Sequence, residues 1–357
     1  MGWFALWDPD GTVFDGSAIF GGIQTSDALV VRGTILLETC LTPGTKPQTL
    51  LRYEAGGSWP VQISLQSVPA GGTIFVLEQA GALYHATVSQ PHHERLEILR
   101  ISYSWDAPRK WGRLVMEYAD GGQFTISDVP APPPMRLADL QAMVEGQNTR
   151  YITPDARFLA ISSDVEPVGP MPSLVATTPV TTPDGERPVA QLQRGDTVIT
   201  EPGRVVPVLH KISHTLPARG SFAPVRLRAP YFGLRNDIIV APSQRLKISG
   251  SVVDYMFGTE AVLANASHLV GGIAAAPVTV GPFITYHHLL LPRHEAVLAA
   301  GAAVESLYVA RLRRKKHLLR ATLLHAYDRV HLPEHSTPAF PILRQYDALV
   351  LAEQRSA

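Results

Sequence analysis

The amino-acid sequence predicts a mainly β fold in two regions, followed by a short helical C-terminal extension. The chain of 357 residues contains 30 prolines and 28 glycines, which are spread along it and favour short strands and turns over long helices. Several segments alternate apolar and polar side chains and end at turn-forming residues, a pattern typical of β-hairpins. The apolar share of 45% is sufficient for globular cores.

Residues 1–130 carry the pattern of a β-sandwich. Residues 73–88 contain two strand-like segments around a turn, which predicts a hairpin. Residues 112–126 contain another hairpin signal, with its turn at residues 119–122. Hairpins at this spacing are typical of two packed antiparallel sheets.

Residues 131–172 are predicted to form a proline-rich linker with one short helix. The proline run at residues 130–134 neither pairs in a sheet nor continues a helix. Apolar residues at helical spacing over residues 135–144 predict the helix. A second cluster of proline and glycine, at residues 167–172, ends the predicted linker.

Residues 173–307 form the second β-rich region, and residues 308–357 form the C-terminal extension. The strands predicted in the second region are residues 197–200, 205–212, 225–228 and 237–240. In the extension, leucines at helical spacing predict a helix over residues 310–330. Residues 341–346 read as an extended tail.

The charge balance predicts no nucleic-acid partner. The net charge is zero with histidine neutral, so the whole molecule exerts no electrostatic pull on a polyanion. A basic run between Arg311 and Arg320 has no interleaved aromatic residues, and we interpret it as a solvated helix face. The N-terminus lacks the features of a signal peptide, and no apolar run approaches the roughly 18 residues of a membrane helix. We therefore expect no transmembrane segment, and a cytoplasmic protein or one exported by a route without a signal.

The sequence predicts neither a metal site nor a cofactor. Cys40 is the single cysteine, which excludes an intrachain disulfide and a cysteine-based zinc site. His287 and His288 are adjacent on a predicted strand and point to opposite faces. Residues 331–335 match a His-x-x-Glu-His string, but its proline would break the helix that such a site needs. Residues 92–94 read as a loop without a third ligand.

Five segments of the second region share the order and spacing of the blocks of a known family. Residues 182–198 contain a turn followed by the pattern Pro-Val-x-x-Leu-x-x-Gly-Asp-x-Val. The later segments are Phe222–Leu227, Val240–Leu246, Tyr286–Glu295 and Val304–Leu307. Together they resemble bacterial Hedgehog/intein (Hint) domains. The resemblance implies a Hint-type β fold over residues 173–307.

The resemblance also implies a self-processing reaction and the residues that would perform it. In Hint domains a first-position cysteine, sometimes serine, attacks the preceding carbonyl, and a central-block histidine protonates the leaving nitrogen. Counting back without gaps places Ser173 at the first position, so the bond attacked would be Pro172–Ser173. The central histidine position falls on Gln244, and the last block retains His288 and His294. These four side chains, Ser173, Gln244, His288 and His294, are the candidate site residues.

Departures at three places of the family pattern, the first position, the central block and the last block, predict an inactive or impaired domain. Serine replaces the usual cysteine, an amide replaces the proton-donating histidine, and Ala241 and Pro292 replace a hydroxyl and an acidic residue. We therefore expect a binding or structural module rather than an enzyme, and the sequence leaves open whether its partner is a protein. The alternative is slow self-cleavage at Pro172–Ser173 through an ester.

Two further hypotheses remain open on weaker grounds. By fold analogy, the N-terminal sandwich could bind carbohydrate. Residues 40–45, Cys-Leu-Thr-Pro-Gly-Thr, also resemble the family's opening motif. Because no further block follows them, we interpret them as a strand end and a Pro-Gly turn. Splicing is not expected, since no asparagine stands at a terminal junction.

Overall fold

A computed structural model describes residues 2–14, 28–41, 46–69, 72–89, 97–119, 123–147, 149–201 and 203–356. In these ranges the chain is mainly β with few helices, as the sequence predicts. It divides into two compact units, Met1–Gly169 and Pro170–Ala357. The predicted loop at residues 92–94 lies outside the described residues, as do most of the turn at 119–122 and most of the motif at 40–45.

The first unit contains fourteen strands and one helix in its described residues. They are β1 (Trp3–Asp8), β2 (Gly11–Phe14), β3 (Leu29–Val30), β4 (Arg32–Leu41), β5 (Gln48–Ala55), β6 (Val61–Val68), β7 (Gly72–Gln79), β8 (Ala82–Ser89), β9 (Glu97–Asp106), β10 (Trp111–Tyr118), β11 (Phe124–Pro130), β12 (Met135–Arg136), α1 (Leu137–Glu145), β13 (Thr149–Ile152) and β14 (Ala156–Ser162).

Two antiparallel sheets of this unit form a β-sandwich. One sheet has the order β11-β10-β9-β4-β14-β1-β2, and the other has the order β13-β5-β6-β7-β8. Alternate residues of both sheets share one hydrophobic core, in which the rings of Phe75 and Tyr103 stack at 3.9 Å between centroids. Leu114 and Met116 of β10 are buried in the same core. The opposite face of this strand, which carries its charged residues, is buried as well, so the period of two separates an apolar face from a polar one.

Residues 131–169 belong to the sandwich, which differs from the predicted linker. Helix α1 covers the predicted helical segment and buries Leu140, Met143 and Val144 in the core. Strand β14 lies between β4 and β1, and β13 pairs with β5. The proline run at 130–134 ends β11 and precedes α1, positions where proline removes no ladder or helix hydrogen bond. The run was therefore a sign of element ends rather than of a domain boundary.

The described part of the second unit contains fourteen strands and three α-helices. They are β15 (Leu174–Val175), β16 (Pro179–Thr182), β17 (Gly185–Pro188), β18 (Thr197–Thr200), β19 (Arg204–Pro207), β20 (His210–Pro217), β21 (Val225–Leu227), β22 (Ile238–Val240), β23 (Arg245–Ser249), α2 (Ser251–Phe257), β24 (Ala261–Asn265), β25 (Ala275–Pro277), β26 (Phe283–Leu290), β27 (Ala296–Ala299), β28 (Ala302–Glu305), α3 (Lys316–Leu319) and α4 (Gln345–Ser356).

Two sheets also organise this unit and place its candidate site. One sheet has the order β20-β26-β15-β22-β21-β25, and the other contains the path β17-β16-β27-β28-β23-β24. Both sheets contribute to one core, with Leu174 and Val240 from the first and Leu246 and Val304 from the second. The predicted strands at 197–200, 225–228 and 237–240 are present, whereas 205–212 divides between β19 and β20.

The continuous helix predicted over residues 310–330 is not formed, so that prediction is wrong. The segment forms a 3-10 turn at Leu312–Arg314, the short α3 and a series of turns. Its leucines nevertheless bury in a small cluster with Leu290 and Leu307. The leucine spacing indicates that one side of the segment is buried, and a turn-rich segment can also be buried on one side. Like charges four residues apart, such as Arg311 and Lys315, disfavour a regular helix. A helix, α4, occurs further on, at Gln345–Ser356, and buries Ala348 and Leu351 in the core.

None of the helices in the described ranges combines the length and the hydropathy required to cross a membrane.

Candidate functional site

Ser173 lies at the start of the central strand of the six-stranded sheet. It immediately precedes β15, which pairs with β22 on one side and β26 on the other. The Ser173 amide donates a hydrogen bond to the His287 carbonyl at 3.3 Å, and the Ala241 amide donates to the Ser173 carbonyl at 2.7 Å. The residue is only 2% exposed. Its backbone is therefore fixed by both neighbours, and its side chain points into a dry environment.

Three of the four predicted site residues meet at the Ser173 hydroxyl. The Oγ atom lies 2.6 Å from Oε1 of Gln244 and 3.2 Å from Nδ1 of His288. Gln244 occupies the turn between β22 and β23, and His288 belongs to β26. Because β15 lies between β22 and β26, Ser173, which directly precedes β15, is close to both of these strands. His287 points away from this pocket and pairs with the hydroxyl of Ser213 at 2.6 Å, as the predicted alternation requires.

The proton positions in this pocket follow from its carbonyl groups. Gln244 Nε2 donates to the carbonyls of Arg245, at 2.8 Å, and Glu305, at 3.2 Å, so its Oε1 must face Ser173. His288 Nε2 lies 2.9 Å from the Glu305 carbonyl. A carbonyl only accepts, so Nε2 carries the proton and Nδ1 is an acceptor directed at Ser173. The hydroxyl hydrogen thus has two acceptors, of which Gln244 is the nearer.

His288 is suited to accept a proton at neutral pH. Burial lowers the pKa of its imidazole, although the backbone carbonyls of Glu305 and Met171 favour the charged ring. Because the ordinary histidine value is about 6.5, the ring is neutral at pH 7. A serine hydroxyl within reach of a neutral imidazole is the arrangement of a nucleophile and its general base. The pocket therefore supplies a base for Ser173, which the sequence interpretation had not identified.

His294 lies outside this pocket and reaches it only through Glu305. Its Nε2 atom lies 2.9 Å from Glu305 Oε1, and its Nδ1 accepts the amide hydrogen of Ala339 at 2.9 Å. Arg245 Nη1 approaches the same carboxylate at 2.9 Å. Burial raises the pKa of the Glu305 carboxyl, but the contacts with His294 and Arg245 outweigh burial and hold it below its ordinary value. Glu305 is therefore an ionised, buried carboxylate with Arg245 as its hydrogen-bond donor and His294 beside it.

The His-x-x-Glu-His string does not form a ligand set. His335 is 3% exposed and packs its ring against Tyr308 and His294. Glu334 instead bonds Arg314 and Arg313, and these bonds lower its pKa to about 2. Burial is the main cause that lowers the pKa of His335 to about 4. Within the described ranges, no group of three or more histidine, cysteine, aspartate or glutamate side chains has an arrangement that could hold a metal ion.

Sequence reasoning missed Glu305 and Arg245, the two residues that hold the pocket together. One signal was available for each. Glu305 is the charged end of an otherwise apolar strand, Ala-Ala-Val-Glu, and Arg245 directly follows the predicted site residue Gln244. A charge in such a position is buried only when it has a partner, but the sequence does not say which partner.

Comparison with known proteins identifies this part of the chain. Residues 172–311 match the family model described as Hint domain. The sequence analysis places the same domain at residues 173–307. This segment is a Hint domain. None of the curated proteins has a sequence that matches the chain.

Among solved structures, the MchDnaB-1 intein is 13% identical, with a TM-score of 0.26, over 37% of this chain and 98% of the intein. The CBM40 of the Ruminococcus gnavus IT-sialidase, bound to alpha2,3 sialyllactose, is 15% identical with a TM-score of 0.25, over 46% of this chain and 91% of that structure. Scores this low support no argument about ligand or activity.

Proposed function

We propose that the Hint domain of this chain is impaired in autoprocessing and serves as a binding or structural module. The observation that carries the proposal is the state of Gln244, which stands where the family places a proton-donating histidine. A side-chain amide does not ionise near neutral pH. All its hydrogen bonds are engaged, with Ser173 on one side and two backbone carbonyls on the other. Loss of such an acid lowers a rate by roughly 100- to 10,000-fold.

The nucleophile and the leaving nitrogen support the same conclusion. A serine hydroxyl is a poorer nucleophile than a thiol, which is partly ionised at neutral pH. The shorter of the two contacts of Ser173 Oγ, 2.6 Å, is the one to the non-basic Gln244. In the described ranges, the partner of the Ser173 amide nitrogen is the carbonyl of His287, which cannot supply a proton.

The intact mass of the purified full chain, followed over days with and without hydroxylamine, tests this proposal. We expect one full-length species under both conditions, because neither ester formation nor nitrogen protonation is efficient. Hydroxylamine would trap any ester and accelerate cleavage. Two fragments that meet at Pro172–Ser173, and that are absent in Ser173→Ala, would contradict the proposal.

A paired substitution tests the stated cause of the impairment. Ser173→Cys combined with Gln244→His restores the thiol and the acid, so we expect cleavage before residue 173 that thiols accelerate. Ser173→Cys with Gln244→Asn is the matched control, because it keeps an amide, and we expect it to be much slower. A folded Cys-His variant that remains intact would show that other departures block the reaction.

The second candidate function is slow self-cleavage at Pro172–Ser173, which the 3.2 Å contact between Ser173 Oγ and His288 Nδ1 favours. In this reaction Oγ bonds to the Pro172 carbonyl carbon while His288 takes the hydroxyl proton. The carbon–nitrogen bond then breaks as the Ser173 nitrogen gains a proton. Water hydrolyses the ester to a Pro172 carboxylate and regenerates the serine hydroxyl. His288→Gln would abolish this cleavage, since an amide does not accept the proton.

A further inference from the structure

One backbone carbonyl orients both side chains that face the Ser173 hydroxyl. The carbonyl oxygen of Glu305, at the end of β28, accepts from His288 Nε2 at 2.9 Å and from Gln244 Nε2 at 3.2 Å. A carbonyl has two lone pairs, so both bonds can be made at once. The position of this single atom therefore decides which nitrogen of His288 is protonated and how the Gln244 amide is turned.

The side chain of the same residue is fixed independently. Its carboxylate accepts from Arg245 Nη1, at 2.9 and 3.3 Å to its two oxygens, and one of these oxygens lies 2.9 Å from His294 Nε2. Arg245 Nε in turn donates to Asn265 Oδ1 at 3.2 Å, and His294 Nδ1 accepts from the Ala339 amide. Both of these side chains are themselves held, so the carboxylate has one well-defined place. Charge-assisted bonds of this kind are the strong ones in a protein interior.

The ring of His288 has an alternative that this arrangement suppresses. The backbone carbonyl of Met171 is a second acceptor beside the imidazole. If the Glu305 carbonyl moved away, the ring proton could transfer to the other nitrogen and bond there. Nδ1 would then no longer present a lone pair to Ser173 Oγ, and the base would be lost.

We propose that Glu305 is the positioning residue of the Ser173 pocket. Its carboxylate, held by Arg245 and His294, fixes the end of β28, and its carbonyl then keeps His288 protonated on Nε2 with Nδ1 directed at Ser173. The inference rests on the proposed function in one respect, namely that this pocket is where any residual chemistry occurs. It assigns His294 to the support of the pocket, without contact with the reacting atoms.

The tautomer of His288 in the full chain tests the inference without any need for activity. Long-range proton–nitrogen spectra of protein labelled at histidine nitrogens distinguish the two forms, and a His288→Gln variant assigns the signals. We expect a single form protonated on Nε2 in the unaltered chain. We expect a mixture of forms in Glu305→Gln, because an amide has one acceptor oxygen for Arg245 and His294.

Glu295→Gln is the matched control. Glu295 is as buried as Glu305, at 9% against 5% exposed, and pairs with Arg204 at 2.9 Å. It has no hydrogen bond to Ser173, Gln244 or His288, so we expect His288 signals unchanged from the wild-type chain. If Glu305→Gln does not fold, Arg245→Lys is the milder variant, since it retains the charge but loses the paired geometry. A folded Glu305→Gln or Arg245→Lys protein with unaltered His288 signals would overturn the inference.

A rate measurement separates this inference from the proposed function. In the Ser173→Cys, Gln244→His background, we expect Glu305→Gln to slow cleavage by roughly 10-fold or more, within the range of general-base contributions. Glu295→Gln should change the rate by less than about 2-fold, as expected for a substitution away from the site. If the Ser173→Cys, Gln244→His protein does not cleave at all, the absence of a thiol and an acid is not the cause of the impairment. The tautomer measurement still decides the role of Glu305 in that case.

Discussion

The hydroxyl of Ser173 has one hydrogen and two acceptors, and this imbalance defines the pocket. Gln244 Oε1, at 2.6 Å, holds the hydrogen, whereas His288 Nδ1, at 3.2 Å, is the group that could remove it. At the level of single residues, the proposed impairment of autoprocessing rests on this arrangement, because a non-ionising amide lies closer to the hydroxyl than the imidazole does.

Gly301 is a residue of the second unit at which a single added methyl group should be costly. It forms a two-residue hairpin turn with Ala300 between β27 and β28, and both have positive φ, of 94° and 48°. A Cβ atom at Gly301 would lie 2.6 Å from the Gly233 carbonyl oxygen. We expect Gly301→Ala to lower the free energy of unfolding of the second unit by at least about 2 kcal/mol.

Hydrogen exchange of residues 170–357 measures that change. Gly281→Ala is the control, because a Cβ there meets no atom within 4 Å. Equal protection in the two variants would mean that the hairpin turn adapts to the methyl group.

The C-terminal extension is attached to the Hint domain by two histidines that accept backbone hydrogens. His294 Nδ1 accepts from Ala339 at 2.9 Å, and His335 Nδ1 accepts from Val309 at 3.3 Å. A protonated ring nitrogen cannot accept, so the contact of His335 requires a neutral ring. At the scale of elements, the extension is an integral layer of the second unit, whose tail also supplies Leu343 and Leu351 to the core.

This attachment predicts that the second unit loses stability as the pH falls. Burial lowers the pKa of His335 to about 4, whereas the unfolded chain titrates near 6.5. Between these values the unfolded chain binds a proton that the folded protein excludes, so stability is complete above pH 6.5 and declines toward pH 4. His288, whose pKa is also lowered by burial, contributes in the same direction.

His335→Gln should reduce this pH dependence, because an amide can accept from Val309 and donate to the Leu291 carbonyl without titrating. Hydrogen exchange of residues 170–357 at pH 7 and pH 5 measures it. The exposed His331, which pairs with Asp328, provides the control substitution His331→Gln. An equal pH dependence in the wild-type and His335→Gln proteins would exclude His335 as its source.

At the level of the whole molecule, each of the two units has its own main hydrophobic core among the described residues. The first includes Leu77 and Trp105, and the second includes Leu246 and Val304. All 5 tryptophans of the chain lie in the first unit. Tryptophan fluorescence therefore reports the sandwich, whereas hydrogen exchange by segment reports the Hint unit.

This distribution makes the contribution of the first core measurable. Leu77 is completely buried in the sandwich, so Leu77→Ala should cost about 2–5 kcal/mol, the usual range for a buried leucine. We expect a lower urea midpoint by tryptophan fluorescence. Leu83, which is 65% exposed, supplies the control Leu83→Ala, with an expected change of less than about 0.5 kcal/mol. An unchanged midpoint in Leu77→Ala would contradict the assignment of the sandwich core.

Local sequence pattern was sufficient to predict the strands and the Hint fold. Alternation along residues 73–88 and 112–118 predicts strands and identifies their apolar faces. The spaced blocks indicate the Hint fold and give Ser173, Gln244 and His288 as site residues. The sequence carries this information because side chains alternate between the two faces of a strand, and because motif residues occur in a fixed order along the chain.

Only the tertiary structure decided which distant groups meet. Strand β14 inserts between β4 and β1, which no local pattern in residues 156–162 could show. Glu305 became the centre of the pocket because β23, β26 and β28 bring Arg245, His288 and its own carbonyl together. The leucines of residues 310–330 have the spacing of a helix, but a turn-rich segment that is buried on one side produces the same spacing. Partner choice depends on three-dimensional proximity between residues far apart in the chain, and a single sequence does not encode that proximity in its local pattern.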